Sequence, residues 1–134
     1  MSLLEDVGLR PGAAFLERFP HELSGGQRQR LAVARALAVA PALIIADEPL
    51  SGADVSIRGQ MLNLLSELRK DGIAFLMITH DISVARAFAD RVAVMHRGLI
   101  VESGPAAVVL ERPEHDYTRR LIESVPRLDR YGGP

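Results

Sequence analysis

The chain has 134 residues, 48% hydrophobic but only 4% aromatic, with a formal charge of −1 and no cysteine. That length bounds it to one small domain or a piece of a larger one, with a core drawn from Leu, Ile, Val and Ala. The charge offers no footprint for a nucleic-acid partner, and the missing thiols exclude disulfides, zinc–thiolate sites and iron–sulfur ligation.

Met1 to Asp6 has no basic region ahead of an apolar one, so it does not read as a secretory leader. Residues 1–19 read as short helical pieces broken at Gly8 and Pro11-Gly12, and Pro20-His21-Glu22 as a loop. From Gln27 to Ala40 the pattern predicts a well-buried helix that Pro41 stops. Ala42 to Ala46 is a continuous apolar run ending in Asp47-Glu48-Pro49, which predicts a strand covered on both faces, as in a parallel sheet. Asp54-Val55-Ser56 can cap a helix carrying Ile57, Met61, Leu64, Leu65 and Leu68, closed by Asp71-Gly72. Ile73 to Thr79 is a second apolar strand, and Asp81 caps a short helix through Ala89.

Arg91–Met95 and Leu99–Glu102 flank His96-Arg97-Gly98 and read as a hairpin. Gly104-Pro105 opens a further short helix, Glu114 to Val125 forms a last amphipathic one, and Leu128 to Pro134 reads as a frayed tail. The alternation of strands and helices in the middle predicts an α/β fold. The longest apolar stretch, Ala36 to Ala46, contains Pro41 and is too short to span a bilayer, so a soluble cytoplasmic protein is expected.

The chain is organised around Leu23-Ser24-Gly25-Gly26-Gln27. Ser24 is a good helix N-cap, the two glycines let another backbone or a phosphate approach, and a helix start adds N–H donors and a positive dipole end. This is a generic anion site, with phosphate as the natural anion. Alone, the five residues are better described as a glycine turn that begins a helix. A lysine count sets the opposite limit: Lys70 is the only one, and Asp71 follows it. A phosphate loop of the form GxxxxGK[ST] therefore does not occur in this chain.

In an open α/β sheet, ligands sit beyond the carboxyl ends of the strands, and here two strands end in Asp47-Glu48 and His80-Asp81. A strand-end carboxylate can hold Mg2+ through water, a second one can orient or deprotonate an attacking water, and a histidine can donate to a phosphate oxygen. Each cluster also has a plain structural reading, as a helix-capping acidic pair or a satisfied strand-end histidine.

The order of Leu23–Gln27, an arginine-rich helix, Leu43–Pro49, Ser51-Gly52-Ala53-Asp54 and Ile78-Thr79-His80-Asp81 resembles the ATP-binding cassette (ABC) family over nearly the whole chain. The resemblance implies a partial P-loop NTPase fold whose parallel sheet lacks the Walker A strand. Residues 1–40 would be a remnant helical subdomain, 41–112 part of the catalytic core and 113–134 a C-terminal family extension. It implies that Leu23, Ser24, Gly25, Gly26 and Gln27 are the signature motif and that Asp47 ends the Walker B strand near Mg2+. Glu48 would be the catalytic carboxylate, Ser51 to Asp54 the D-loop crossing a dimer interface, and His80 the switch histidine facing the γ-phosphate of ATP. Arg18 to Glu22 and Arg112 to Arg119 look like the dipeptide/oligopeptide/nickel importer ATPases. The implied partners are a second ATPase subunit and membrane-spanning permease subunits, on the cytoplasmic face of the inner membrane.

The chain departs from that family in two ways. Gly52-Ala53 replaces the usual Ala-Leu of the D-loop, which removes bulk where two subunits should meet. The adenine-stacking aromatic, the Walker A loop and the Q-loop have no counterpart, and in relatives the Walker A strand lies between the strands expected at Ile73–Thr79 and Arg91–Met95. A missing middle strand leaves buried groups unpaired at about 1–3 kcal/mol each, against a domain stability of only about 5–15 kcal/mol. The isolated chain is therefore expected to be marginal, rearranged or dependent on another polypeptide. Three functional readings follow: an importer ATPase fragment completed by a separately made N-terminal half, a non-catalytic module lending its signature to a partner, and a decayed product.

Overall fold

A computed structural model describes residues 3–125. The tail expected at Leu128–Pro134 lies outside the described residues. The chain forms two compact units, one running to Ile78 and the other starting at Thr79.

The first unit opens with a helix α1 (Leu3–Asp6) and a 3-10 turn at Gly12–Phe15, in line with the short pieces read from the sequence. Pro20–Glu22 is a 3-10 turn as well, a small correction to the expected loop, closed where the Phe19 N–H donates to Glu22 Oε2 at 2.7 Å. Helix α2 runs Gly25–Leu37, strand β1 Leu43–Asp47, helix α3 Val55–Lys70 and strand β2 Ala74–Ile78. Strands β1 and β2 pair in parallel from Leu43↔Ala74 to Asp47↔Ile78. A small core gathers Val7, Leu9 and Ala34, with Leu4, Phe15, Leu31, Val33, Leu37 and Leu64 packed against it.

Burial corrects two expectations. Helix α2 buries Ala34 alone, and Val39, just past its end, is 79% exposed. Strand β1 is not covered on both faces: Ile44 and Ala46 are half-buried, whereas Leu43 and Ile45 are 50% and 64% exposed. The register places Leu43, Ile45, Ala74, Leu76 and Ile78 on one exposed sheet face. An apolar run signals a strand that something can cover; it does not say that the cover belongs to the same chain.

The second unit holds helix α4 (Ile82–Phe88), strands β3 (Arg91–His96) and β4 (Leu99–Pro105), and helices α5 (Ala106–Glu111) and α6 (Asp116–Glu123). The hairpin turns through Arg97 and Gly98, both at positive φ, and its register shifts between Val94 and Met95. Here β4 extends to Pro105, which caps α5 instead of sitting inside its first turn. Ala106, Leu110 and Ile122 form this unit's core under Ile82, Ala85, Ala89 and Val92. Among the described residues the strands form separate two-stranded sheets, β1–β2 and β3–β4.

Candidate functional site

Helix α2 begins as its sequence dictates. Ser24 sits extended at φ −64° and ψ 162°, its Oγ accepts from the Gln27 N–H at 3.2 Å, and Gln27 Oε1 accepts from the Ser24 N–H at 3.0 Å. This reciprocal capping box fixes the first turn. By helix geometry the N–H groups of Gly25 and Gly26 have no intrahelical acceptor. A Cβ on Gly25 would meet nothing within 4 Å, so that side of the turn is open to an incoming group. Leu23 anchors the motif from the N-terminal side, buried at 5% exposure.

Asp47 ends β1 and is exposed. Glu48 follows at φ +45°, in the left-handed region that non-glycine residues rarely enter. It is held there by its N–H donating to the Ile78 carbonyl at 2.8 Å, and by its own carbonyl accepting from the Ser51 N–H at 3.1 Å. The chain then turns through buried Leu50 and exposed Ser51 to Gly52 at φ +70°. An alanine at that φ would be strained, so Gly52 follows from the turn that this loop makes. Asp54 caps α3, with Oδ1 accepting from the Ile57 N–H at 2.8 Å, and Arg58 Nε steadies the loop by donating to the Ala53 carbonyl at 3.0 Å.

His80 is exposed and belongs to the second unit, between Thr79, whose Oγ1 accepts from the Asp81 N–H at 3.0 Å, and the Asp81 cap of α4. Glu48 and Ser51 thus share one turn, and Leu23–Gln27 and Ser51–Asp54 share one unit. Among the described residues no group of three His, Asp or Glu could hold a metal ion. Asp47 is a single exposed carboxylate at a strand end, and Mg2+, which keeps most of its waters and takes one or two carboxylates plus substrate phosphate oxygens, is the ion that such a ligand would suit.

The sequence reading passed over Arg30. Its Nη1 donates to the Val7 carbonyl at 2.6 Å and its Nη2 to Gln60 Oε1 at 2.9 Å, tying α2 to the N-terminal segment and to α3. A Cβ on Gly26 would touch Ile57 at 3.4 Å. The available signal was spacing: Gly26, Arg30 and Ala34 recur every fourth residue along one side of α2.

Comparison with known proteins agrees with these features. Residues 2–51 match the family model for the ABC transporter, and residues 101–133 match that of the oligopeptide/dipeptide transporter, C-terminal region. The glutathione import ATP-binding protein GsiA of Escherichia coli (strain K12) is 58% identical over 125 residues, covering 92% of this chain and 20% of the relative. GsiA of Salmonella typhimurium is 56% identical over 128 residues, covering 95% and 20%. The chain therefore spans about one fifth of the length of these curated relatives. The ADP conformation of MJ1267, an ATP-binding cassette of an ABC transporter, superposes with a TM-score of 0.76 and 29% identity over 92% of this chain and 48% of that one. A dimeric post-hydrolysis state of the cassette MJ0796, bound to ADP and Pi, gives 0.66 and 35% over 78% and 44%. Read together with the capped Ser24–Gln27 turn and the Asp47–Glu48 strand end, these matches show that the chain belongs to the ABC ATPase family, in the branch carrying the oligopeptide/dipeptide C-terminal region.

Proposed function

We propose that this chain is part of the ATP-binding subunit of an ABC-type importer for peptides or related small solutes, and that it offers its signature turn to ATP held by another cassette. One observation carries the reading: the Ser24–Gln27 box leaves the Gly25 side of a helix start open for a phosphate. The names of the GsiA relatives and the match at residues 101–133 support peptide-like cargo.

In this reading the Ser24 hydroxyl and the N–H groups of Gly25 and Gly26 contact the γ-phosphate of a partner-held nucleotide, while Gln27 keeps the turn in shape. Leu23 locks the motif to its unit. Asp47 would hold Mg2+ through water, and the ion, when bound, would offset phosphate charge. Glu48 orients the attacking water, and His80 donates to a phosphate oxygen. Ser51 and Asp54 place the D-loop at a dimer interface beside membrane-spanning permease subunits on the cytoplasmic face.

These 134 residues hold no GxxxxGK[ST], so in this reading the nucleotide grip lies outside them, and a separately made N-terminal half or a complete partner cassette would supply it. The test is ATPase activity of a Walker A-bearing partner with and without this chain. Ser24→Arg, which fills the open turn, is expected to abolish any stimulation. An unchanged rate would refute the trans-acting role. Glu48→Gln separates the two sources: loss of activity places hydrolysis at this chain's carboxylate, and retained activity assigns the chain a binding role alone.

A further inference from the structure

Helices α2 and α3 meet along one seam. Gly26 leaves room for Ile57, Arg30 donates to Gln60, and Leu64 packs on the Val7–Leu9–Ala34 cluster. On α2 the positions are 26, 30 and 34; on α3 they are 57, 60 and 64. These spacings line one face of each helix, so the three contacts lie in order along the same edge. The seam starts inside the signature turn and, on the other side, inside the first turn of the helix that Asp54 caps.

The middle rung is the polar one. The Arg30 guanidinium spends one nitrogen on the Val7 carbonyl and another on Gln60 Oε1. Because this planar fork is anchored at Val7, its second arm has little freedom, and Gln60 fixes where α3 sits beside it. The upper rung is steric, since Gly26 has only van der Waals clearance to Ile57, whose N–H is the one Asp54 caps.

We propose that Arg30 and Gln60 are positioning residues that lock the signature turn to the D-loop, so that a ligand drawn to Ser24–Gln27 sets the placement of Ser51–Asp54. Neither residue touches the nucleotide in this scheme. The mechanical link stands on the seam alone; its use in hydrolysis rests on the function proposed above.

Amide hydrogen exchange on the full chain tests the link without nucleotide or partner. Gln60 is exposed, so its replacement leaves the core packing intact. Gln60→Ala is expected to reduce protection of the Gln27 N–H, on the other helix, by about threefold to tenfold, the scale of one hydrogen bond. Gln60→Glu keeps an acceptor for the guanidinium and is expected to restore it, while Glu67→Ala, lower on α3, serves as the control without effect. A Gln27 amide equally protected in Gln60→Ala and in the unmodified chain overturns the lock, as does a loss that Gln60→Glu fails to rescue. In the ATPase assembly Gln60→Ala should lower kcat with KM for ATP unchanged. Failure of Ser24→Arg to alter a partner's ATPase sinks the functional reading and leaves the exchange result standing.

Discussion

At the scale of single residues, backbone conformation and neighbours decide what each position tolerates. Gly8 lies at φ +79°, and a Cβ there would come within 2.6 Å of Arg30 Nη1. Gly8→Ala is therefore expected to cost about 1–3 kcal/mol, from left-handed strain and from displacing the Arg30 fork; the denaturation midpoint measures it. Glu48 presents the reverse case. Its left-handed backbone costs roughly 1–2 kcal/mol, so Glu48→Gly should raise the unfolding midpoint while removing the carboxylate. Equal or lower stability would mean that the side chain contributes more than its backbone costs. The Glu48 conformation was not legible beforehand, because it depends on a bond to the Ile78 carbonyl thirty residues away. The caps were legible: Ser24, Asp54 and Asp81 each bond to N–H groups within three residues, so local sequence contains the whole interaction.

At the scale of elements, two joints can be tested. Ser24→Ala should destabilise α2 by about 0.5–2 kcal/mol, and combining it with Gln27→Ala should cost less than the sum, since both belong to one reciprocal box. Helicity and denaturation of the unmodified chain, the two single variants and the double variant check this. The other joint ties β4 to the start of α6. Glu102 accepts from the N–H groups of Glu114 and His115 at 2.9 and 3.1 Å, while His115 Nδ1 accepts from the Tyr117 N–H and the His96 and Tyr117 rings stack at 3.8 Å. Partial burial would raise the Glu102 pKa. The backbone donors of Glu114 and His115, with the Thr118 hydroxyl and the His115 ring nearby, outweigh it and hold the carboxyl below its ordinary range. A depressed carboxylate pKa contributes stability that is complete above the unfolded value, near about 4.3, and lost as pH falls through the folded one. Faster exchange of the Glu114 and His115 amides is therefore expected only under acid, and Glu102→Gln should remove that pH dependence. The family resemblance marked residues 113–134 as an extension, but the joint to Glu102 spans twelve residues and leaves no local pattern.

At the scale of the whole molecule, the exposed face of β1–β2 dominates. Leu43, Ile45, Leu76 and Ile78 are all at least half exposed, on a sheet of two strands among the described residues. The α/β alternation and the parallel pairing were readable because they follow from runs of apolar residues, and the absent Walker A strand pointed to unpaired groups; the bare face of β1–β2 was not readable, because those runs look the same whichever side is covered. Replacing Ile45 and Leu76 by lysine should suppress concentration-dependent association of the purified chain, seen by light scattering. The same pair should block assembly with a Walker A-bearing partner if that partner lies on this face.

That ladder of aliphatic side chains also governs how the polypeptide fares before it meets a companion. While uncovered, it presents a greasy stripe of the kind that holdase chaperones grip and quality-control proteases use to select their substrates. Its lifetime in a cell should then rise and fall with the supply of whatever shields it.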